Sequence, residues 1–344
     1  MKVLVTSKSF GRFAPEAVQH VKDSGIEVVR GSKASMTAAE IAAEVPGFDA
    51  LIVGNDTVDA QVLDAGDRLR LVHMHGTGLD AIDVNYATRK GILVANAPGA
   101  NRNAVAELTV ALILIAARSI DRHIALLAEG HWERNAGTEV SGKTLGLLGL
   151  GNIGRRLVKL LSGFEMQVLA YDPSAERPWA ESHGVLLAEE VDHVFGKADF
   201  LVLALPLTKE TEKIVDARRI GLMKRSAYIV NTARGGLVDE EALCRAVTEK
   251  RIAGAALDAF EQEPLPANSP LRRAGITLTP HLAATSLEAA ANVSMIVARN
   301  VVDVLINGKT RCAVNTGAAA GSPHRKGFYG KAGFTKLLTK EILN

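Results

Sequence analysis

Apolar positions fall into two recurring patterns along this chain. Short runs that are apolar at nearly every position read as buried strands, and stretches with apolar residues three and four apart read as helices packed on one face. The early runs are Val3–Val5, Ile26–Val29, Leu51–Val53, Leu71–His73 and Ile92–Ala95, with helices predicted between them at Pro15–Ser24 and Ala38–Val45. A second series begins near Leu145 and continues through Val168–Tyr171, Phe200–Leu203, Tyr228–Asn231, Gly254–Leu257 and Ile276–Leu278. Strands that alternate with helices predict parallel sheets, because parallel neighbours need a crossover between them. The pattern is that of an α/β chain with two such sheets.

Between the two series lies Val105–Ala117, apolar on nearly every side apart from Glu107 and Thr109, with Arg102 and Arg118 on either flank. A helix that is apolar all round is buried or crosses a membrane. At about 13 residues this one is too short for a bilayer, which needs roughly 20. We expect it to be buried against the other domain or a second subunit.

Composition narrows the class. At 344 residues with 47% apolar side chains, the chain is long for one domain, so two are expected. A formal net charge of +2 gives no general attraction to nucleic acid or to a membrane surface. Cys244 and Cys312 are the only cysteines and lack metal-ligand spacing, which argues against a disulfide scaffold or a zinc site and fits a reducing compartment. Met1–Thr6 runs directly into a strand pattern without the plan of a secretory leader, so a cytoplasmic location is expected.

The strand at Leu145–Leu148 leads into Gly149, Gly151 and Gly154, the G-x-G-x-x-G spacing of a dinucleotide-binding turn, and Arg155–Leu161 follows with helical periodicity. The first glycine allows the turn, the second lets backbone approach a pyrophosphate, and the third lets helix pack on strand, leaving the helix N-terminus aimed at the phosphates. Asp172 stands twenty-one residues beyond Gly151, at the end of the next apolar run. A carboxylate there accepts hydrogen bonds from ribose hydroxyls and repels a 2′-phosphate. The nearest following base is Arg177, so NAD is expected rather than NADP.

Three motifs in the second half follow predicted strand ends, the edge at which parallel sheets bind ligands. Arg234, in Asn231-Thr232-Ala233-Arg234-Gly235-Gly236, is suited to hold a substrate carboxylate through paired hydrogen bonds. Asp258, Glu261 and Glu263 form an acidic loop closed by Pro264, which alone is usual for a solvated loop. His281, in Thr279-Pro280-His281-Leu282-Ala283-Ala284, has the side chain best suited to move a hydroxyl proton near neutral pH, and a neighbouring carboxylate would orient its ring.

With these motifs, and with Gly76-Thr77-Gly78-Leu79-Asp80, Asn96-Ala97-Pro98-Gly99-Ala100-Asn101, Gly130-His131-Trp132 and Leu203-Ala204-Leu205-Pro206-Leu207-Thr208, the chain resembles the D-2-hydroxyacid dehydrogenase family over about residues 1–316. Its wording is most similar to the phosphoglycerate dehydrogenases. The resemblance implies two Rossmann-like parallel-sheet domains: a split substrate domain, residues 1–98 and 286–316, and a central NAD-binding domain, residues 99–285. It implies a homodimer built through the cofactor domain.

The resemblance further implies that Arg234 binds the substrate's carboxylate and keto oxygen, that Glu263 pairs with His281, and that His281 is the acid/base. Neutral His281 would take the hydroxyl proton in oxidation and protonated His281 would return it in reduction, so reduction is favoured toward acidic pH and oxidation toward alkaline pH. Implied cofactor contacts are Gly149, Gly151, Asn152, Ile153, Gly154, Asp172, Pro206, Thr211, Thr232, Ala233, Arg234, Asp258, His281 and Ala283. Implied substrate contacts are His75, Gly76, Thr77, Gly78, Asn101 and Arg102.

The reaction implied is hydride transfer between NAD(H) and a small D-2-hydroxy acid or its 2-keto acid, with 3-phosphoglycerate as one substrate and glyoxylate or hydroxypyruvate as the alternative. Many phosphoglycerate dehydrogenases carry an arginine just ahead of the glycine loop, whereas this chain reads His73-Met74-His75. Arg102 and His75 are the groups left to meet an anionic substituent. A nucleotide-sensing corepressor is the non-enzymatic reading of the same scaffold, and nothing before residue 99 suggests its peptide cleft. Residues 317–344 match nothing in the family core and carry five basic residues against one acid. The tail reads as a linker followed by helical spacing at Phe334, Leu337, Leu338 and Ile342, either a docking arm or a flexible extension.

Overall fold

The computed structural model describes residues 1–33, 35–310 and 312–315, with the backbone of Thr335 and Lys336. The chain divides into two compact units, Met1–Asn101 with the chain from Ser286 onward, and Arg102–Thr285.

The early apolar runs become β1 (Lys2–Val5), β2 (Glu27–Arg30), β3 (Ala50–Val53), β4 (Leu71–Met74) and β5 (Leu93–Ala95). They form one sheet in the order β2-β1-β3-β4-β5, with every pair parallel. This is the flavodoxin-like order, in which ligands bind beyond the carboxyl ends of the strands. β3, β4 and β5 are buried on both faces, which is why their runs show no alternation. Val3, Val5, Ile52 and Leu71 face the helices Pro15–Asp23 and Leu287–Leu305, while Leu4, Leu51, Val53 and Val72 face Ala38–Glu44 and Ala60–Ala65. Thr37 starts the helix Ala38–Glu44 by a reciprocal cap, its Oγ1 accepting Glu40 N–H and Glu40 Oε2 accepting Thr37 N–H.

The second series becomes β6 (Thr144–Leu148), β7 (Gln167–Tyr171), β8 (Val185–Leu187), β9 (Phe200–Leu203), β10 (Tyr228–Asn231), β11 (Gly254–Leu257) and β12 (Thr277–Leu278). All pairs are parallel, in the order β12-β11-β10-β9-β6-β7-β8. Counted from β6, this is the doubly wound 3-2-1-4-5-6 arrangement with one strand added, and the switch point lies between β6 and β9. The two α/β parallel-sheet units are thus as expected from the pattern. β8 lies outside that expectation, since it is a three-residue edge strand with Leu186 exposed.

The apolar helix differs from expectation. It spans Arg102–Arg118, so both arginines lie within it, and it packs on the sheet of its own unit. Ala106, Leu112, Ile113, Ala116 and Ala117 share a core with Leu145, Leu147, Leu157 and Val230. Leu108, Val110 and Leu114 pack against the same core and are partly buried. At Ser119, with φ +48°, the chain bends by 66° into the helix Ile120–Ala128, which has no buried residue. Among the described residues no single helix is long and apolar enough to cross a membrane. The expected linker and helical spacing of the tail lie outside the described residues, apart from the parallel pairing of Thr335 and Lys336 with Lys309 and Thr310.

Candidate active site

The glycine turn joins β6 to the helix Asn152–Leu161, which starts three residues before its apolar periodicity does. Gly149 has φ +96°, and a Cβ there would lie 2.4 Å from Ala204 O, so no other residue fits beside the end of β9. A Cβ on Gly154 would meet Gly149 O at 2.3 Å, while one on Gly151 meets nothing within 4 Å. The second glycine therefore faces open space, at a helix N-terminus whose cap residue makes no side-chain hydrogen bond. Exposed Asn152 and half-buried Ile153 follow it. The first N–H groups of a helix have no partner within it, so this is a place for a phosphate.

Asp172, at the end of β7, accepts Leu150 N–H at Oδ2 and Ser174 N–H at Oδ1, each at 2.8 Å. Two lone-pair positions remain for ribose hydroxyls. The glycines, the open helix end and this carboxylate fit a bound dinucleotide.

At the end of β10, Asn231 is fully buried and folds the turn that presents Arg234. Its Oδ1 accepts Ala233 N–H at 3.0 Å and its Nδ2 donates to Arg234 O at 2.8 Å. Thr232 is fixed by a 2.8 Å hydrogen bond to Thr109, which reaches it from the helix Arg102–Arg118. A Cβ on Gly235 would lie 1.8 Å from Phe260 C, so this turn packs directly on the acidic loop after β11. Arg234 Nη1 donates to Ala233 O at 2.8 Å.

The acidic loop is not simply solvated. Asp258 is fully buried and accepts three hydrogen bonds, from Thr279 Oγ1 at 2.6 Å and from Leu282 N–H and Ala283 N–H at 2.9 Å each. It thereby clamps the segment that carries His281, whose φ is +48°. Glu261 N–H donates to Glu240, whose carboxyl is pushed up by burial and by the nearby Glu261 and Glu263 carboxylates. Glu263 accepts Phe260 N–H with Oε1 at 3.0 Å and holds His281 Nδ1 with Oε2 at 2.6 Å. A carboxylate only accepts, so Nδ1 carries the hydrogen and Nε2 is left to exchange a proton. Both side chains keep more than a third of their surface exposed.

Pro206 and Thr211 lie in the exposed loop after β9, where Thr211 Oγ1 donates to Pro206 O at 2.7 Å. In the first unit, the Gly76–Gly78 loop follows β4, and its Gly76 and Thr77 carbonyls accept from Ala97 N–H and Asn96 Nδ2. Asn101 is buried and Arg102 half-buried.

His75 differs from the anion-binding group expected of it. Ser294 Oγ donates to Ala290 O, so it accepts from His75 Nε2 at 2.9 Å, and Nδ1 then accepts from Ser9 at 2.9 Å. Burial, with smaller contributions from His73 and Arg30, pushes its pKa down to about 4. The ring is neutral at physiological pH and supplies no cation.

Asn231, Thr109 and Thr279, which brace the Arg234 turn and the His281 segment, are not singled out by the sequence pattern. A polar residue ending an otherwise apolar strand, Asn231 in Tyr-Ile-Val-Asn, is the one signal that marks any of them.

Residues 110–283 match the family model described as "D-isomer specific 2-hydroxyacid dehydrogenase, NAD binding domain". The chain belongs to the D-isomer specific 2-hydroxyacid dehydrogenase family. Its second unit is thereby an NAD-binding domain. Among curated relatives, the D-3-phosphoglycerate dehydrogenase of Archaeoglobus fulgidus is 40% identical over 319 residues, which are 92% of this chain and 59% of the relative. The chain thus spans about three fifths of that relative's length. The glyoxylate reductase of Thermofilum pendens is 41% identical over 77% of this chain and 81% of its own. Among solved structures, a protein of Thermus thermophilus superimposes with a TM-score of 0.82 at 31% identity, covering 91% of this chain and all of that one.

Proposed function

We propose that this member of the family is an NAD-dependent oxidoreductase that interconverts a small D-2-hydroxy acid and its 2-keto acid. The observation that carries this reading is the 2.6 Å His281–Glu263 pair at the carboxyl edge of the NAD-binding sheet, with Arg234 on the adjoining turn. NAD, when bound, accepts or supplies the hydride at its nicotinamide ring. Arg234 binds the carboxylate and keto oxygen of the substrate and draws charge onto that oxygen. In oxidation His281 Nε2 takes the hydroxyl proton, and in reduction the protonated ring returns it. Glu263 fixes the tautomer and stabilises the imidazolium that forms.

Gly149, Gly151, Asn152, Ile153, Gly154 and Asp172 hold the dinucleotide in this reading. Pro206, Thr211, Thr232, Ala233, Asp258 and Ala283 border it, with Asp258 also holding the His281 segment. Gly76, Thr77, Gly78, Asn101 and Arg102 are proposed substrate contacts.

Similarity to phosphoglycerate dehydrogenases puts 3-phosphoglycerate among the substrates to test. The neutral His75 and buried Met74 favour an unphosphorylated pair, such as glyoxylate/glycolate or hydroxypyruvate/glycerate. We infer a homodimer working in a reducing cytoplasm, supported by exposed Ile124, Leu127 and Trp132 and by a sequence with only two cysteines. The test is NADH oxidation by purified protein with hydroxypyruvate, phosphohydroxypyruvate, glyoxylate and pyruvate. At least one should be reduced, and His281→Ala should lose that activity. Tight NADH binding with none reduced would overturn the assignment and restore the nucleotide-sensing reading.

A further inference from the structure

The turn that holds Asp172 also holds a guanidinium. Arg155, in the first turn of the helix Asn152–Leu161, donates through Nε to Leu150 O at 3.1 Å, while Leu150 N–H donates to Asp172 Oδ2 at 2.8 Å. One residue therefore fastens both side chains beside the expected adenosine ribose. A guanidinium in that place is the natural counter-charge for a ribose 2′-phosphate, the group that separates NADP from NAD.

In this chain the guanidinium is already occupied. Glu176, four residues beyond Asp172, takes Nη1 at 3.3 Å and Nη2 at 3.1 Å, a two-point pairing that matches the planar fork of arginine. The Trp179 ring packs against the guanidinium, its centroid 4.9 Å from Cζ. His183 stacks on Trp179 at 4.1 Å and 15°. Glu176 and Trp179 lie one helical turn apart at the start of the helix Arg177–Ser182, so a single short element supplies both restraints.

We propose that Glu176 is a second cofactor-specificity residue, which keeps Arg155 engaged and so withholds the cation that a 2′-phosphate needs. Asp172 repels that phosphate; Glu176 removes what would attract it. The proposal rests on Asp172 binding the ribose. The two effects separate in combination, because release of Arg155 helps NADPH only once the repelling carboxylate is gone. Glu176 is mostly exposed, so the gain is several-fold and not thousands-fold.

Isothermal titration calorimetry of the full chain with NADH and NADPH tests this without recourse to turnover. Asp172→Ser should weaken NADH binding. Adding Glu176→Gln should tighten NADPH roughly three- to tenfold over Asp172→Ser, with NADH changed less than about twofold. Adding Arg155→Met, which keeps a long apolar stem against Trp179, should cancel that gain. No gain from Glu176→Gln would overturn the proposal. A gain that survives Arg155→Met would also overturn it, by showing that only a negative charge had been removed. NADH binding unaffected by Asp172→Ser would instead overturn the ribose reading, and the proposal with it.

Discussion

His281 sits at φ +48°, a conformation that costs a non-glycine residue of order 1–3 kcal/mol unless its surroundings impose it. Asp258 imposes it through hydrogen bonds to Thr279, Leu282 and Ala283 on both sides of the histidine. Asp258→Asn keeps the shape but turns an NH2 toward backbone donors. We expect kcat to fall about 10- to 100-fold in steady-state assays, more than for Thr279→Val, which removes one of the three bonds. His281→Ala should cost roughly 10²- to 10⁴-fold in kcat, the usual worth of a positioned acid/base. Glu263→Gln should also lower kcat, because an amide offers one oxygen to the two donors, Phe260 N–H and His281 Nδ1–H, and turns its NH2 toward the other. Arg234 and His281 are legible in the sequence, because each residue type suits its proposed task and follows a strand end, whereas Glu263 stands out from its acidic loop only through the resemblance. The clamp is not legible. Asp258 looks like one acid among three in a loop, and its burial depends on partners more than twenty residues away.

Elements position these side chains by close packing of backbone. With Gly235 pressed against Phe260, Gly235→Ala must push the Arg234 turn off the acidic loop. Overpacking of this kind costs about 1–3 kcal/mol or more. A lowered midpoint in urea unfolding and a raised KM for the keto acid should appear together. In the first sheet, β4 carries His73 fully buried, with Nδ1 donating to Met74 O and Nε2 without a partner among the described residues. Burial pushes its pKa down to about 4 from 6.5. Between those values the unfolded chain binds the proton more tightly, so stability is complete above about pH 6.5 and drains as pH falls toward 4, by roughly 3 kcal/mol for this group. Urea midpoints at pH 7 and pH 5 should show the loss in the wild type and a smaller one in His73→Leu. Strands covered on both faces announce themselves as unbroken apolar runs. β8 is a different case: Val185-Leu186-Leu187 is apolar throughout, yet this three-residue edge strand leaves Leu186 exposed. The helix Arg102–Arg118 is longer than its apolar pattern because its first turn is polar.

For the molecule as a whole, the two-sheet plan follows from the order of strands and helices, and the glycine turn marks which sheet takes the cofactor. Assembly is legible only as an apolar helix, whose packing face belongs to its own unit. The better candidate surface follows it. Ile124 is 65% exposed, Leu127 58% and Trp132 81%, on a segment with no buried side chain from Ile120 to Ala128. Exposed apolar clusters of this kind mark interaction sites. Ile124→Asp with Leu127→Asp should turn a dimer into a monomer in sedimentation velocity, with the fold retained by circular dichroism. An unchanged dimer would place the interface elsewhere.

The central claim is that His281, Glu263 and Arg234 carry out hydride transfer on one hand of a 2-hydroxy acid, and the most direct test uses that hand. With NAD in excess at mildly alkaline pH, the D and L forms of glycerate, 3-phosphoglycerate and lactate are offered separately and NADH absorbance is followed. The account predicts NADH from the D form of at least one acid, none from its L form, and none from either with His281→Ala. Turnover of an L form, or full activity in the His281 variant, would contradict it.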